Sequence, residues 1–582
     1  MSFSNTTQQD WQDKVRQELK GTDPQSLHKT QLSNVVLKTL YTEVDLPVQP
    51  STAPRPTRGW RRGQVVNVPP VDIANKYMLK DLGGGIEEVN VQVSTGNSPG
   101  VAICQAADWN RLFEGVHTDL IRVKIASDDI ASLVDIPADL AAKMHIDWVW
   151  DPLCDMAKNG QEWKEPQGQT KAHVKSCASV SKTWRPLCID LSSYHLSGAT
   201  PVHELALMLA TLAEYQRWFS ERDVQWLSDQ CWVQLSIDAN IFENVTKLRA
   251  ARRLWMGFGR VFEVPALSCT IQAVTSERML TRYDQWVNML RITTSCCAAI
   301  WGGADSIVNL PHDLLQDAQT ALGGRFARNV HSVLDEECHL GHISDPLAGS
   351  YFVESVTDDL CQKAWAMFQQ IEARGGLHSW ICSGGLQSEL QNCAEERAHW
   401  VHTGRLPLLG VTTFANPVEE LAPLSSTPRS HNGPFPPLRM QRDAVQIEQM
   451  RASSPTRTVF LATIGAEAEW KPRATFATNF FAMMGWTVEV YPGIHSVADI
   501  EDMMVAYQQG DGVCACICGS NSAYKQYLSK ITQAFKRQKI HSILAGKDRD
   551  GLADQAIHLG MNVQQVWAVL FTSLDVQEKA NV

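Results

Sequence analysis

Long apolar runs and dense basic tracts are both missing from this chain. No apolar run approaches the ~18 residues that a membrane-spanning helix needs. The formal net charge is -11, and Lys and Arg are scattered, which disfavours a nucleic acid or an anionic membrane as the main partner. The opening MSFSNTTQQDWQDKVRQELKG has neither the apolar core of a secretory signal nor the Arg-rich character of a transit peptide. We therefore expect a cytoplasmic protein.

The cysteine pattern does not indicate a disulfide framework. The chain has 15 cysteines, an odd number, and without a secretory signal we expect reduced thiols. One cluster, Cys514, Cys516 and Cys518, lies in GVCACICG, which predicts a buried strand whose alternate residues share a face. A metal site is one interpretation of this cluster. Core packing is favoured, because no histidine or second cysteine pair accompanies it.

From about Trp60 to Arg397, segments typical of strands alternate with segments typical of helices. The predicted strands are Ile86–Val93, Leu120–Val123, CIDLSS at 188–193, WVQLSID at 232–238 and Ser306–Leu310. The predicted helices are Val202–Phe219, Glu243–Met256, Tyr283–Trp301 and Phe326–Glu336. Such alternation predicts parallel strands with helical crossovers. By composition alone, an open sheet and a closed barrel remain equal alternatives.

Two irregular stretches divide the chain. Residues 1–59 contain a short amphipathic helix at 11–20 and a Pro-rich end, and their composition predicts a flexible tail. Residues 406–455 are again rich in proline and predict a surface linker without a core of its own. We therefore divide the chain into an arm (1–59), an α/β region (60–405), a linker (406–455) and a second α/β domain (456–582). In the last domain we expect strands at Thr458–Gly465, Thr487–Tyr491, Gly512–Cys518 and Ser542–Ala545.

The most specific sequence motifs lie between Thr275 and Glu354. Four motifs follow one another there: WVNMLR at 286–291, GGAD at 302–305, FARN at 326–329 and DPLAGSY at 345–351. In this order they resemble the last barrel units of the methylmalonyl-CoA mutase family, and in detail the small subunit of its two-subunit form. The segments WQDKVRQELKG at 11–21 and LKTLYTEVDLP at 37–47 resemble the start of that subunit, and this resemblance implies an arm used in subunit contact as the alternative to a flexible tail. The resemblance thus extends from Trp11 to about Leu574.

This resemblance implies a fold, a reaction and a partner. The fold is a (β/α)8 TIM barrel followed by a flavodoxin-like, doubly wound domain of cobalamin-binding type. The reaction is the adenosylcobalamin-dependent interconversion of methylmalonyl-CoA and succinyl-CoA, in which the cofactor supplies the bond homolysis. The partner is a large subunit that would bind the cobalamin and the acyl-CoA in a heterodimer. No metal is expected on this chain.

The resemblance also implies a cobalamin motif, which this chain has lost. Catalytic members carry Asp-x-His-x-x-Gly after the first strand of the second domain: the His coordinates cobalt, the Asp holds its other nitrogen, and the Gly leaves room for the corrinoid tail. Here Glu467 replaces the Asp, Glu469 replaces the His and Pro472 replaces the Gly. The serine-bearing loop of the family is matched only by Cys518-Gly519-Ser520. We therefore expect no cofactor on this chain.

The substrate positions of the barrel are altered as well. The resemblance places Gly63 and Val65 where active members carry an arginine and a tyrosine, and Gln230 where a further arginine stands on a strand. Gln272 matches a substrate-binding glutamine. His195, in Ser193-Tyr194-His195, matches the general-acid histidine, and three interpretations remain: a catalytic acid, a relic, or an ordinary surface histidine. The relic is favoured, because losing several transition-state contacts would leave little rate.

Three weaker patterns have plainer explanations. The glycines at 83–85 lack the Lys-Ser/Thr of a P-loop, so a tight turn is favoured over a phosphate site. Residues 336–339, Glu-Glu-Cys-His, resemble a metal set by composition, but on a helix their side chains would point in different directions. Glu419 and Glu420 are expected to be solvated charges of the linker.

Together these features predict a catalytically silent small subunit of a heterodimeric methylmalonyl-CoA mutase. Two alternatives remain. The first is an independently active CoA-ester isomerase with a pocket rebuilt around His195. The second is a non-enzymatic scaffold derived from the same fold. Co-purification distinguishes them, through a mutase large chain, bound cobalamin or an unrelated partner respectively.

Overall fold

The chain folds into an amino-terminal arm, a barrel, a linker and a second α/β domain. The structure, a computed structural model, describes residues 7–47, 59–94, 100–127, 135–316, 321–420, 433–548 and 550–581, with side chains as far as Leu574. None of the helices in these ranges has the length and apolar content that a bilayer crossing requires.

The arm lies partly against the barrel. Its elements are α1 (Gln8–Glu18), a 3₁₀ turn (Pro24–Leu27), the antiparallel strands β1 (Lys29–Thr30) and β2 (Val36–Leu37), and a second 3₁₀ turn (Glu43–Asp45). Helix α1 buries none of its residues. In contrast, Val35 is fully buried in the barrel core, and the rings of Tyr41 and Phe352 meet edge to face at 5.1 Å. The second half of the arm is therefore part of the packing of the barrel.

Eight parallel strands form the barrel, as the resemblance implies. They are β3 (Arg61–Val66), β4 (Glu88–Ser94), β6 (Arg122–Ser127), β7 (His145–Val149), β8 (Leu187–Asp190), β9 (Cys231–Ile237), β10 (Ile271–Thr275) and β11 (Ser306–Val308), with β5 (Val101–Ala102) added beside β4. The order around the sheet is β7-β6-β4-β3-β11-β10-β9-β8. Two backbone hydrogen bonds between β7 and Arg185, which precedes β8, close the barrel. Trp148 N–H donates to the Arg185 carbonyl at 2.8 Å, and Arg185 N–H donates to the Ile146 carbonyl at 2.9 Å. The open-sheet alternative is therefore wrong.

Helices cover the outside of the barrel. They are α2 (Val71–Gly83), α3 (Ala106–Leu112), α4 (Ala138–Ala141), α5 (Pro152–Asn159), α6 (Pro166–Val180), α7 (Ser192–Leu196), α8 (Pro201–Trp218), α9 (Val224–Gln230), α10 (Ile241–Val261), α11 (Val287–Gly302), α12 (Ala321–Ser332), α13 (Tyr351–Ala373), α14 (Gly376–Cys382) and α15 (Gly385–His402). Local sequence fixes several ends. Thr200 caps α8, with Pro201 in its first position, and Gly303 ends α11 in the left-handed conformation with φ 81°.

Several predicted boundaries differ from the structure: β4 begins at Glu88, α10 extends over Ile241–Val261 and β11 ends at Val308. Strand β6 begins at Arg122, because Leu120 lies in an exposed turn. Helix α11 begins at Val287, since Asp284 has a positive φ of 47°, which a right-handed helix does not contain. Helix α12 ends at Ser332, and a π-helical turn, Val333–Glu337, continues from it.

The linker has more structure than its composition predicts. It contains the helix α16 (Val445–Ala452), and its described residues bury seven apolar side chains, namely Leu408, Val411, Ala415, Phe435, Leu438, Ala444 and Ile447. Glu419, expected to be solvated, is half-buried and accepts the Asp284 backbone N–H at 3.0 Å. The linker therefore packs on both domains, and the expectation of a coreless surface segment is wrong for its described residues.

The last domain is a doubly wound sheet. Its elements are β12 (Thr458–Ile464), α17 (Glu467–Ala482), β13 (Thr487–Ile494), α18 (Asp499–Gln509), β14 (Gly512–Cys518), α19 (Asn521–Arg537), β15 (Ser542–Ala545), β16 (Gln555–Ile557) and α20 (Val563–Asn581). All strands are parallel in the order β13-β12-β14-β15-β16. This is the flavodoxin-like 2-1-3-4-5 order. Strand β16, too short and polar to show in the sequence, completes it.

Candidate functional site

The carboxyl ends of the barrel strands surround a polar cavity of about 260 Å³. In TIM barrels this end carries the active site. The polar residues that line it are Asn90, Gln92, Lys124, Ser127, Asp151, Asp155, Lys158, Asp190 and Gln234, and the apolar ones include Val65, Val149, Val274 and Val308. The cavity lies just below the roughly 300–1,000 Å³ typical of small-molecule pockets. It is therefore small for an acyl-CoA.

A buried charged layer fills the barrel beneath this cavity. The Lys124 ammonium lies 3.8 Å from a Glu88 carboxylate oxygen and 3.5 Å from the centre of the Trp232 ring. Gln272 donates from Nε2 to the same Glu88 oxygen at 2.6 Å. Burial lowers the pKa of Lys124, and the Glu88 charge opposes that shift. An opposite charge and an aromatic face are suitable partners for a buried ammonium. The contacts among Lys124, Glu88, Trp232 and Gln272 fill the interior of the barrel below the cavity.

Gly63 and Val65 lie where the resemblance expects an arginine and a tyrosine. A Cβ atom at Gly63 would lie 2.7 Å from Cγ2 of Val308 and 3.0 Å from the carbonyl oxygen of Ile307. Any side chain at Gly63 would thus displace β11. Val65 contributes one apolar wall of the cavity. Neither position presents a charged or hydroxyl group to a substrate.

The two glutamines singled out from the sequence lie in different places. Gln272 belongs to the charged layer and also donates to Oδ1 of Asn90 at 3.0 Å. Gln230 ends α9 at the amino end of β9, so the expected strand position is wrong. The glutamine of β9 that reaches the cavity is Gln234, which donates to Oδ1 of Asp190 at 3.0 Å.

His195 is only 2% exposed, so the surface interpretation is wrong. Its Nδ1 lies 2.7 Å from a Glu204 carboxylate oxygen, and its Nε2 lies 2.8 Å from the Ser276 hydroxyl. Burial lowers the pKa of His195 well below its ordinary value, and Arg278 adds to this effect. A general acid needs a ring N–H within reach of substrate. Both nitrogens of His195 are instead used inside the protein.

Two aspartates at strand ends, the buried Asp151 and the half-buried Asp190, organise the rim of the cavity, and sequence reasoning missed both. Asp151 follows β7 and accepts the backbone N–H groups of Leu153 and Cys154, each at 3.1 Å, and the Tyr215 hydroxyl at 2.8 Å. Burial raises the pKa of Asp151 to about 7 against these bonds. Asp190 ends β8. An aspartate directly at a strand end was the available signal, because such residues point to the mouth of the barrel.

A larger cavity of about 500 Å³ lies between the barrel, the arm and the linker. Its walls are mostly apolar, with Leu32, Met279, Val287, Leu290, Trp400 and Leu408 among them. On one side Arg397 binds Asp443 through two N–H groups, at 2.7 and 2.9 Å. Arg278 and Arg397 hold the pKa of Asp238 below its ordinary value despite burial. Because three segments that are distant in sequence form this cavity, no local sequence pattern predicts it.

The stretch expected to be a cobalamin loop is the start of α17. The helix begins at Glu467, so residues 467–472 are already helical and Pro472 lies inside the helix. Glu469 folds back and accepts the Ala466 backbone N–H at 3.2 Å, while Glu467 pairs with Lys471 at 2.7 Å. The prediction of a loop is therefore wrong, although Glu467, Glu469 and Pro472 still replace the Asp, His and Gly of the family motif. This turn offers carboxylates and no imidazole, so its residues do not fit the cobalt-ligating role.

Side chains of the protein itself occupy the crevice at the carboxyl ends of β12 and β14. Doubly wound domains bind ligands at this reversal of the strand order. Here Arg473 donates to the carbonyl of Gly519 at 2.5 Å and to the side chain of Asn521 at 2.6 Å. Its guanidinium lies 4.6 Å from the ring centre of Tyr524, whose hydroxyl donates to the carbonyl of Ala545 at 2.8 Å. Sequence reasoning singled out neither Arg473 nor Tyr524.

The remaining motifs have structural roles. The alternating cysteines of β14 are fully buried in an apolar cluster, namely Cys514, Cys516 and Cys518. Ser520 caps α19 by accepting the Ala523 N–H at 3.2 Å. Gly85 turns the chain after α2 with φ 91°, and Glu336 pairs with Arg62 at 3.0 Å. These positions therefore serve packing, capping and turning.

Known proteins resemble the chain along most of its length. The family profile described as methylmalonyl-CoA mutase matches residues 86–453. The methylmalonyl-CoA mutase small subunit of Streptomyces virginiae is 31% identical over 523 residues, which cover 86% of this chain and 82% of that protein. A probable methylmalonyl-CoA mutase small subunit of Mycobacterium bovis is 29% identical over 596 residues, covering 95% and 94%. The small subunit of Propionibacterium freudenreichii subsp. shermanii is 29% identical over 428 residues, covering 69% and 65%.

Proposed function

This chain belongs to the methylmalonyl-CoA mutase family, and we propose that it is the catalytically silent small subunit of a two-subunit mutase. In this proposal a large subunit holds adenosylcobalamin and acyl-CoA and interconverts methylmalonyl-CoA and succinyl-CoA. The small-subunit names of relatives that align with up to 95% of the chain support the assignment. The residues of both candidate sites support the silence.

The start of α17 carries the proposal. A cobalt ligand in this family is an imidazole oriented by a carboxylate, and such outer-shell orientation contributes strongly to affinity. Glu469 stands at the ligand position and is held by the Ala466 N–H of its own helix. Arg473 and Tyr524 then fill the crevice beyond it. When present in the complex, the cofactor supplies the bond homolysis, and we assign its binding to the large subunit.

The barrel supports the same conclusion. Removing one general acid lowers a rate by about 10²–10⁴-fold, and removing one electrostatic donor costs about 2.7–4 kcal/mol of transition-state stabilisation. Gly63 and Val65 offer neither kind of group, and His195 binds Glu204 and Ser276 instead of facing the cavity. The alternative of an isomerase with a pocket rebuilt around His195 therefore has little support.

An exposed apolar surface offers a contact for the large subunit. It is formed by the start of α11 and the linker, with Trp286, Leu290, Leu409, Phe414 and Val418 exposed. Arg291 joins the two segments by donating to the carbonyl of Leu409 at 2.8 Å. Clustered apolar and aromatic side chains are typical of subunit interfaces. We propose that this surface lies against the large subunit.

Reconstitution tests the proposal. The purified chain is incubated with adenosylcobalamin and gel-filtered, beside the large subunit as a positive control. We expect the corrinoid absorption to travel with the large subunit and not with this chain. A stoichiometric corrinoid band on the isolated chain would overturn the proposal. A pull-down from native cells that recovers an unrelated partner instead of a mutase chain would favour the scaffold.

A second experiment addresses the barrel. We expect His195→Ala to leave the mutase activity of the reconstituted complex within a few-fold of wild type. Gel filtration would confirm that the complex still assembles. A loss of about 10²-fold or more, the lower end for deleting a general acid, would show that this barrel turns over substrate.

A further inference from the structure

Three side chains that can bind a metal meet at the edge of the barrel, outside the cavity at the barrel mouth and the crevice of the last domain. His203 lies in the first turn of α8, and Glu389 and Cys393 lie one turn apart on α15. Nε2 of His203 is 3.6 Å from a carboxylate oxygen of Glu389 and 4.0 Å from Sγ of Cys393. All three ligand atoms lie within 4.8 Å of one another.

The imidazole of His203 is held in a suitable orientation. Its Nδ1 lies 2.7 Å from the hydroxyl oxygen of Thr200, the residue that also caps α8. When Nδ1 carries the hydrogen and donates it to Thr200, the lone pair of Nε2 points to Glu389 and Cys393. Metal-binding histidines are commonly fixed in this way, because a partner on one nitrogen sets the tautomer and the ring orientation.

The surroundings of Nε2 of His203 favour a cation. A carboxylate oxygen of Glu389 and the thiol of Cys393 both face this nitrogen, at 3.6 and 4.0 Å. A divalent ion between the three ligand atoms would replace the thiol proton and interact with a carboxylate and a thiolate.

We propose that His203, Glu389 and Cys393 form a binding site for zinc or a similarly soft divalent cation, with water as the fourth ligand. One imidazole, one thiolate and one carboxylate suit zinc rather than magnesium or calcium, which prefer oxygen ligands. Zinc bonds of about 2.0–2.3 Å place tetrahedral ligand atoms about 3.4–3.6 Å apart. The observed 3.6 and 4.0 Å therefore require a small contraction. Glu389 is 47% exposed, so water has access to the open position.

Such an ion would connect α15, the last helix of the barrel, to α8. α15 leads directly into the linker, and on the same helix Arg397 binds Asp443 of the linker. A bond from α8 to α15 through the metal would stabilise the docking of both segments. Because the metal binds the folded arrangement, we expect it to raise the unfolding temperature in a concentration-dependent way.

A second group of the same composition provides a matched control. Glu162, His378 and Cys382 also bring their ligand atoms within 4.8 Å, but the glutamate is exposed and the other two are half-buried. To separate the two groups, all measurements use the full-length chain with Cys382→Ser, so that the second group offers no thiolate.

Cobalt titration tests the proposal, because Co²⁺ reports its ligands through absorption. In the Cys382→Ser chain we expect one equivalent of Co²⁺ to produce a thiolate-to-cobalt charge-transfer band and the visible bands of a four-coordinate ion. Added Zn²⁺ should displace it. Adding Cys393→Ser should weaken binding more than about 100-fold, since even outer-shell partners are worth about 10–100-fold. His203→Gln should act in the same way.

The outcomes separate clearly. Absence of the band in the Cys382→Ser chain, or a band unaltered by Cys393→Ser, would overturn the proposal. Circular dichroism would verify that each variant is folded. A second measurement supports the first: Zn²⁺ should raise the unfolding temperature of the Cys382→Ser chain, and Cys393→Ser should abolish this rise. An equal rise in both chains would also count against the site.

Discussion

Gly63 allows a direct test of whether the barrel has closed over the positions of its family's substrate contacts. A Cβ atom there would lie 2.7 Å from Cγ2 of Val308 and 3.0 Å from the Ile307 carbonyl oxygen. The second neighbour is backbone, so relief requires movement of β11. Overpacking of this kind costs about 1–3 kcal/mol, while replacing a strand glycine returns about 0.5–1 kcal/mol. We therefore expect Gly63→Ala to lower the free energy of unfolding by about 1–2 kcal/mol.

Urea unfolding of the full-length chain, followed by circular dichroism and tryptophan fluorescence, measures this change. The control is Gly257→Ala, in the interior of α10, where a Cβ atom would meet nothing within 4 Å. That variant should be neutral or up to about 1 kcal/mol more stable, because alanine is the better helix former. Val308→Ala should be less harmful beside Gly63→Ala than alone, with a coupling energy of at least ~0.5 kcal/mol, since the two residues share one space.

A wild-type stability for Gly63→Ala would refute the reasoning. Changes within about 0.5 kcal/mol are ordinary for substitutions away from packed sites, and such a result would mean that space remains beside Val308. The lost arginine would then be a matter of side-chain identity alone. Packing would then no longer support the proposed silence of the barrel, although the substitutions at the start of α17 would be unaffected.

Three further predictions concern acid stability, the linker and the arm. Burial lowers the pKa of His331 from 6.5 to about 3, so its contribution is complete above 6.5 and should be lost as pH falls towards 3, on the order of 4 kcal/mol in urea unfolding. Trp60 donates its indole N–H to Nδ1 of His331 at 3.1 Å, so Trp60→Phe should make that loss shallower; an unchanged slope would contradict the assignment. Glu419→Ala should speed proteolytic cleavage of the linker several-fold, because a backbone N–H loses its acceptor; equal cleavage rates would disprove this anchor. Deleting residues 1–22 should weaken association with the large subunit in ultracentrifugation but leave the unfolding temperature unchanged, because α1 buries none of its residues. Deleting residues 1–46 also removes the fully buried Val35 and should lower the unfolding temperature. Unchanged affinity after deletion of residues 1–22 would exclude α1 as a contact.

Much of the fold was predictable because its signals are local. Alternating strand and helix patterns gave most elements to within a few residues, as for α8 and β14. The resemblance was needed to choose a barrel over an open sheet, since closure depends on β7 and β8 meeting across the whole circle. The start of α17 was taken for a loop because it stands where the family carries its cobalamin motif, and a proline there does not predict a helix interior. Here the proline lies inside the helix instead.

The candidate site was less predictable because its residues meet only after closure. Glu88, Lys124, Trp232 and Gln272 lie on four separate strands, and nothing near any of them in sequence indicates a shared layer. His195 shows the same limit. Its motif identified the residue, but its partners lie in α8 and after β10, so the sequence could not distinguish a surface histidine from a buried one.

The two candidate sites of this chain have been altered in the same way. In the barrel, Lys124 is neutralised by Glu88, and His195 binds Glu204, while in the second domain Arg473 fills the crevice between β12 and β14. These three cationic or imidazole side chains each have a partner within the protein. Removing one member of such a buried pair leaves the other uncompensated, which costs more than the pair contributes. Restoring a single family residue would therefore disturb the core before it restored a site, and the silence that we propose for this chain would follow from its packing as much as from its missing side chains.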